Sequence, residues 1–377
     1  MSIVKLYISP LILCVSLISL GACHSVISNS AEDPRAPSSE LKAMWEVYKK
    51  TNIQQGRVIS WDEDGITTSE GQSYALLRAV ASDDAATFDE VWRWTHEHLQ
   101  VRLGDNLFSW KWKDQVLGTD AAMDADTDIA LALILASRRF HRPEYLQSAL
   151  PILDSIWKHE VVKAGEMYYI TAGNWAAAEK FPTIHVGYLA PYAYQVFARI
   201  DKLHEWSALI DSSYRLLHWI YFTVRLTVPP ELVYVDPQSG NLLLSPPDKK
   251  PADSFSYDAF PLFWRVAVDA QINHRHEGRL RRHMLRFFKN EWKQRGLFYD
   301  HYDVQGHPLS DKEAMPLYAT MHALALVQNP SLAQLLETRK LAGLRTNARA
   351  GKDTPYYLQN WLWFDQAFEE GLILVPQ

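Results

Sequence analysis

Met123-Asp124-Ala125-Asp126-Thr127-Asp128-Ile129-Ala130-Leu131-Ala132-Leu133-Ile134-Leu135-Ala136-Ser137-Arg138-Arg139-Phe140 is the stretch that decides the fold. From 126 to 140 it is apolar on nearly every side, with Ile129, Leu131, Leu133, Ile134 and Leu135 spread round the helical wheel. A helix without a polar face is buried all round, so it needs a jacket of other helices. Helical spacing recurs over 84–100, 143–160, 190–199, 206–223, 257–270, 278–292, 312–327, 331–341 and 356–370. Strand signals are few. The clearest is a hairpin of 231–235 and 242–245 across the turn-rich 236–241. No fixed-period repeat of the solenoid kind is present. The expected class is all-α in two concentric layers with a small β-hairpin. Helix content alone leaves a toroid and an irregular bundle both open.

Residues 1–22 read as a lipoprotein signal peptide. Lys5 is followed by an apolar run to Leu20, short for a membrane span, which needs ~20 apolar residues. Leu20-Gly21-Ala22-Cys23 resembles a bacterial lipobox, making Cys23 the lipidated residue; ordinary cleavage after a small residue is the competing reading. His24 rather than Asp after it points to the outer membrane, with the protein in the periplasm. The only other cysteine is Cys14, so the folded part has no disulfide, thiolate metal site or cysteine nucleophile. Residues 23–40, rich in Ser, Ala and Pro, read as a flexible tether. Residues 41–377 have no internal linker and read as one domain. The net charge of −6, read as lacking a basic block, argues against nucleic acid as a partner and suits a neutral polymer.

Carboxylates stand at three expected helix starts. Glu70 lies in Thr68-Ser69-Glu70-Gly71-Gln72-Ser73-Tyr74, Asp124 opens the buried helix, and Asp258 lies in Ser256-Tyr257-Asp258-Ala259. In a chain with 14 Trp and 18 Tyr this suggests acid/base chemistry on sugars. Ser69 to Gln72 also fits a capping box, with Ser69 at the N-cap, which would make Glu70 a first-turn acid favoured by the helix dipole. That dipole lowers its pKa. A general acid here would need apolar walls or a nearby carboxylate, Asp124 or Asp258, to raise it. Asp124, Asp126 and Asp128 are not an EF-hand, because Ile129 and Leu135 stand where Gly and Glu are required. N-capping by Asp124 and a weak nucleotide-sugar DxD motif are the other readings. On a helix Asp124 and Asp128 share a face and Asp126 points elsewhere, where it needs partners or solvent.

Together, Ser69-Glu70-Gly71-Gln72-Ser73-Tyr74, Ala122-Met123-Asp124-Ala125-Asp126 and Ser256-Tyr257-Asp258-Ala259 with Trp264-Arg265 resemble glycoside hydrolase family 8. They occur in family order with similar spacing, over roughly Lys42 to the C-terminal helices. The resemblance implies an (α/α)6 barrel of six inner and six outer helices, with a cleft at one end. It also implies an endoglucanase that cleaves β-1,4 bonds with inversion and calls for no cofactor or metal. By position it makes Glu70 the general acid, Asp258 the base and Asp124 the aspartate that grips and distorts the sugar; Asp253 is the fallback base. An inverting pair stands ~6.5–9.5 Å apart. Tyr188 matches a cleft tyrosine, Tyr257 precedes the base, and Trp110 and Trp112 lie where relatives carry tryptophans. His185 and Arg265 complete the expected substrate-binding set.

The sequence departs from the family at three places. Met123 stands where many relatives have Ser or Thr, Pro261 where they have Arg, and His185-Val186-Gly187-Tyr188 where they often show Asn-Pro-Ser-Tyr. These leave substrate identity open among cellulose, mixed-linkage glucan, xylan and chitosan. A polysaccharide lyase and a non-catalytic glycan-binding lipoprotein are the alternatives from other classes. The expected partners are a polysaccharide, the membrane through Cys23 and, as one option, a polysaccharide synthase complex, with the protein itself a monomer.

Overall fold

The computed structural model describes residues 36–372 apart from 275 and 353. The expected signal peptide, Cys23 and most of the expected tether lie outside the described residues. The helices are α1 Ser39–Asn52, α2 Ser69–Ala81, α3 Ala85–His98, α4 Met123–Arg139, α5 Pro143–Glu160, the single turn α6 Asn174–Ala177, α7 Pro191–Ile200, α8 Trp206–His218, α9 Pro261–Asn273, α10 Gly278–Arg295, α11 Met315–Gln328, α12 Pro330–Leu336, α13 Ala342–Arg349 and α14 Tyr356–Glu369.

The apolar stretch behaves as its pattern requires. Every residue of α4 from Met123 to Ala136 is buried. Each fully buried Leu or Ile contributes about 1.5–3 kcal/mol relative to exposure, so the helix can exist only inside a shell. Its neighbours form a closed ring: α2 packs on α4, α4 on α7, α7 on α9, α9 on α11, α11 on α14, and α14 returns to α2. Outside this ring α1 packs on α14, α3 on α2, α5 on α4, α8 on α7, and both α10 and α12 on α11. The outer helices bury one face only; in α10 that face is Leu280, Met284, Leu285, Phe288 and Glu291. Six inner and six outer helices make an (α/α)6 barrel.

Two local expectations fail for identifiable reasons. The cap of α2 is Thr68, not Ser69: Thr68 Oγ1 accepts from Gly71 N at 3.0 Å. Gln72 does not reach back. Its buried amide accepts from Val58 N at 2.6 Å and donates to Thr95 Oγ1 at 2.6 Å, fastening the Ile53–Gln54/Arg57–Val58 hairpin to α2 and α3. Nor does Asp124 cap α4; Ala122 holds that position without a side-chain bond, and Asp124 lies one residue inside the helix. The helix expected over 257–270 is divided into a 3-10 turn, Tyr257–Ala259, and α9, which begins at Pro261. Proline is preorganised for a first helical position, and this start leaves Asp258 on a turn before the helix.

The expected hairpin forms between Leu232–Val235 and Leu242–Leu243, and Thr183–His185 adds a third antiparallel strand with His185 opposite Leu232. Three residues carry too little periodicity to be read as a strand.

Candidate active site

Inner helices α2, α4 and α14 start at Ser69, Met123 and Tyr356, while the turns Val186–Tyr188 and Tyr257–Ala259 lead into α7 and α9. Glu70, Asp124, Tyr188, Asp258 and Tyr357 sit at or just before these starts, and the structure brings all five within electrostatic reach of one another. The site is therefore the ring of inner-helix N-termini, a natural place for negative charge.

Burial, not the dipole, sets the protonation of Glu70. Desolvation is the largest effect, the charges of Asp124 and Asp258 add to it, and together they push the carboxyl up to about 8. Tyr74, one turn along α2, donates to Glu70 Oε1 at 2.6 Å and opposes the rise. Asp124 is only 4 % exposed; burial pushes it to about 7 against the pull of Arg265. Its Oδ1, itself buried, has no hydrogen-bond partner among the described residues. Asp258 differs. Its side chain is 69 % exposed to the cleft, yet surrounding protein, Glu231 and Glu63 still raise its pKa above the usual carboxylate value. At neutral pH Glu70 holds its proton beside an Asp258 whose carboxyl opens to the cleft.

His185 and Tyr188 form the wall beside Asp258. Their rings stack with centroids 3.9 Å apart, and His185 Nε2 lies 3.9 Å from Asp258 Oδ2. Burial lowers the His185 pKa to about 3, so the ring is neutral. Gly187 is required here: a Cβ would overlap the carbonyl oxygen of Asp258.

The sequence profile of glycosyl hydrolases family 8 matches residues 14–334. The chain belongs to glycoside hydrolase family 8. It is 29 % identical over 258 residues to a probable endoglucanase of Novacetimonas hansenii, covering 65 % of this chain and 72 % of that one. It is 35 % identical over 191 residues to an endoglucanase of Salmonella typhi, covering 46 % of this chain and about half, 49 %, of the relative. Among solved structures it resembles the endo-beta-1,4-glucanase CMCax from Acetobacter xylinum, with a TM-score of 0.72, 23 % identity, and coverage of 90 % of this chain and 100 % of that one.

In this family 8 chain the remaining expected residues separate. Trp110 is 39 % exposed, and its backbone pairs with Ser69 and Asp120 between the starts of α2 and α4. Trp112 instead packs edge-on against Trp94 and His98, under the Arg57 guanidinium at 4.5 Å. Arg265 does not reach the cleft. It is 1 % exposed, clamped to Asp128 at 2.7 and 3.1 Å and bonded to the Tyr192 hydroxyl at 3.0 Å. It supports the site from below by offsetting the charge of Asp124. Tyr257 is 40 % exposed at the rim. Asp253 is exposed on the approach to Ser254–Phe255.

Tyr74, Tyr357 and Trp175 were not foreseen. Tyr357 donates to the Tyr257 carbonyl at 3.0 Å and feels Glu70 most among the charges around it. Its place at an inner-helix start was the available signal. Trp175, 43 % exposed, follows Asn174, whose Oδ1 accepts from Ala121 N at 2.7 Å beside the start of α4. His322, Glu337 and Glu369 have metal-ligand spacing, but Glu369 lies at the other end of α14 from the site. Arg345 spans that cluster, bonding Asp365 at 2.6 Å and Glu369 at 3.0 Å, so it is an ion network between layers.

Proposed function

We propose that this chain is an inverting endo-β-1,4-glucanase, tethered through a lipid on Cys23 in the periplasm at the outer membrane, where it cuts a cellulose-like polymer during synthesis or breakdown of exopolysaccharide. The observation that carries the reading is the pair of unlike carboxyls: a buried Glu70 that keeps its proton at neutral pH, and an accessible Asp258 fed from a different helix start. Glu70 protonates the glycosidic oxygen as the bond to the anomeric carbon breaks. Asp258 removes a proton from water as its oxygen attacks that carbon from the opposite face. One carboxyl loses a proton and the other gains one, and solvent resets both. Asp124 accepts hydroxyl hydrogen bonds and strengthens them as charge develops on the ring.

Exposed Trp110 and Trp175 near the α2 and α4 starts, and Tyr257 near the α9 start, give apolar sugar faces a path of rings, which favours binding within a chain rather than at its end. The endoglucanase names of the curated relatives support the glucan reading.

Purified protein offered carboxymethylcellulose, mixed-linkage glucan, xylan and chitosan is expected to cut carboxymethylcellulose fastest, with viscosity falling ahead of reducing-end release. Preference for xylan or chitosan would move the substrate assignment. Products absorbing in the ultraviolet would replace hydrolysis by elimination. Palmitate incorporation that survives Cys23→Ala would refute the anchor.

A further inference from the structure

Residues 274–295 carry eight Lys and Arg against two Glu, in a chain whose net charge is −6. The expectation that the chain lacks a basic block is therefore corrected. On the outer helix α10, Arg279, Arg282, Arg286, Lys289 and Lys293 are all exposed. Steps of three and four residues align them in one row, roughly 21 Å long at ~1.5 Å per residue. The acids of this helix are turned elsewhere: Glu277 bonds His218 at 2.8 Å and the buried Glu291 bonds Arg295 at 2.9 Å. At the start of the row an open hollow of 530 Å³ is lined by His274, His276, Arg279, Arg281 and Arg282.

The position of the row matters as much as its charge. Inner helices begin at the cleft, so α10, which follows the end of α9, begins at the opposite end of the barrel. α1 also begins there: the Ser38 hydroxyl and amide bond the carboxylate of Glu370, just past the last turn of α14. Ser38, near the beginning of the described residues, thus lies at the end of the barrel where the basic row starts.

We propose that the α10 row and its hollow dock the barrel on the anionic phospholipid headgroups of the membrane that holds the Cys23 lipid, leaving the cleft end open to the aqueous phase. In the cell this role rests on the lipid-anchor reading, and it adds an electrostatic contact that orients the barrel beside its acyl anchor. Each cation near an anionic surface strengthens partitioning roughly fivefold, and the effect fades with salt.

The test uses residues 36–377, whose described part, Ala36 onward, is a compact unit by its own contacts, so that no acyl chain takes part. Co-sedimentation is measured with phosphatidylglycerol-containing vesicles and with pure phosphatidylcholine vesicles. Partitioning is expected to the anionic vesicles only, weakened by salt and about tenfold or more weaker in Arg282→Glu/Arg286→Glu/Lys289→Glu, whose melting and hydrolysis of soluble oligosaccharide stay unchanged. Reversal of Lys158, Lys163 and Lys202 should leave partitioning intact. Equal binding to neutral vesicles, an undiminished α10 variant, or retention on heparin without vesicle binding would each overturn the proposal. Because the protein tested lacks Cys23, a failed lipidation experiment and a failed docking experiment are separate results.

Discussion

Tyr74 donates its hydroxyl to Glu70 Oε1 at 2.6 Å from one turn further along α2, which makes it the restraint on a carboxyl that burial pushes up to about 8. Asp124 acts in the other direction. Glu70 must be protonated to act, so activity is lost as pH rises through about 8. Tyr74→Phe should move this alkaline limb of kcat/KM to higher pH and Asp124→Asn to lower pH. Tyr74→Phe should keep kcat within about tenfold, whereas Asp124→Asn should lose about 10²–10³-fold along with sugar contacts that tighten in the transition state. Full pH profiles of both variants check the signs.

Glu70→Gln and Asp258→Asn should each lower kcat by about 10²–10⁴-fold with melting temperature preserved. The acid limb belongs to Asp258, whose raised pKa places it above the usual carboxylate range, and activity should be lost as pH falls through it. Near-normal turnover of either purified variant would remove that residue from its role.

Gly187→Ala tests the seating of Asp258. The new methyl would overlap a backbone carbonyl, so the turn Tyr257–Ala259 or the wall Val186–Tyr188 must shift. A displacement near one ångström at a reacting group costs about 10²-fold. The expected result is a kcat loss of that order with KM changed much less.

Asp126 and Glu160 form a second acid pair behind the site, both fully buried, with Asp126 accepting from Phe108 N at 2.9 Å. Burial is the largest effect on both: it pushes Asp126 up to about 8 although Glu160 pulls it back, and it holds Glu160 well above its usual value, raised further by the charge of Asp126. In the unfolded chain both ionise near pH ~4. The favourable protonated pair is thus fully effective below about pH 4, and its contribution is lost as pH rises toward about 8. Glu160→Gln should raise stability near pH 8 by roughly 1–3 kcal/mol and flatten the pH dependence. Thermal melts at mildly acid and mildly alkaline pH give the comparison.

The inner layer was legible in the sequence because α4 has no polar face, and a closed jacket is the answer to such a helix. The clusters at Glu70, Asp124 and Asp258 were legible because they sit at helix starts in an order shared with a family. Arg265 was misread as a cleft residue: its neighbour motif gives no sign that Asp128, more than a hundred residues away, takes its guanidinium. Trp110 and Trp112 look alike in the chain, but one meets solvent and the other Trp94. Tyr74 and Tyr357 were missed because a tyrosine at an inner-helix start acquires meaning only once the ring of helices is closed. Both conditions the sequence sets for a protonated Glu70, apolar walls and a nearby carboxylate, are met, with burial the larger and Asp124 next.

The most direct test of the account is proton NMR of the first-formed anomer during cleavage of a soluble β-1,4 oligosaccharide, before mutarotation. Water activated by Asp258 on the face opposite Glu70 must give the α-anomer first. A β-anomer at the earliest times would contradict the acid and base assignment made for this cleft.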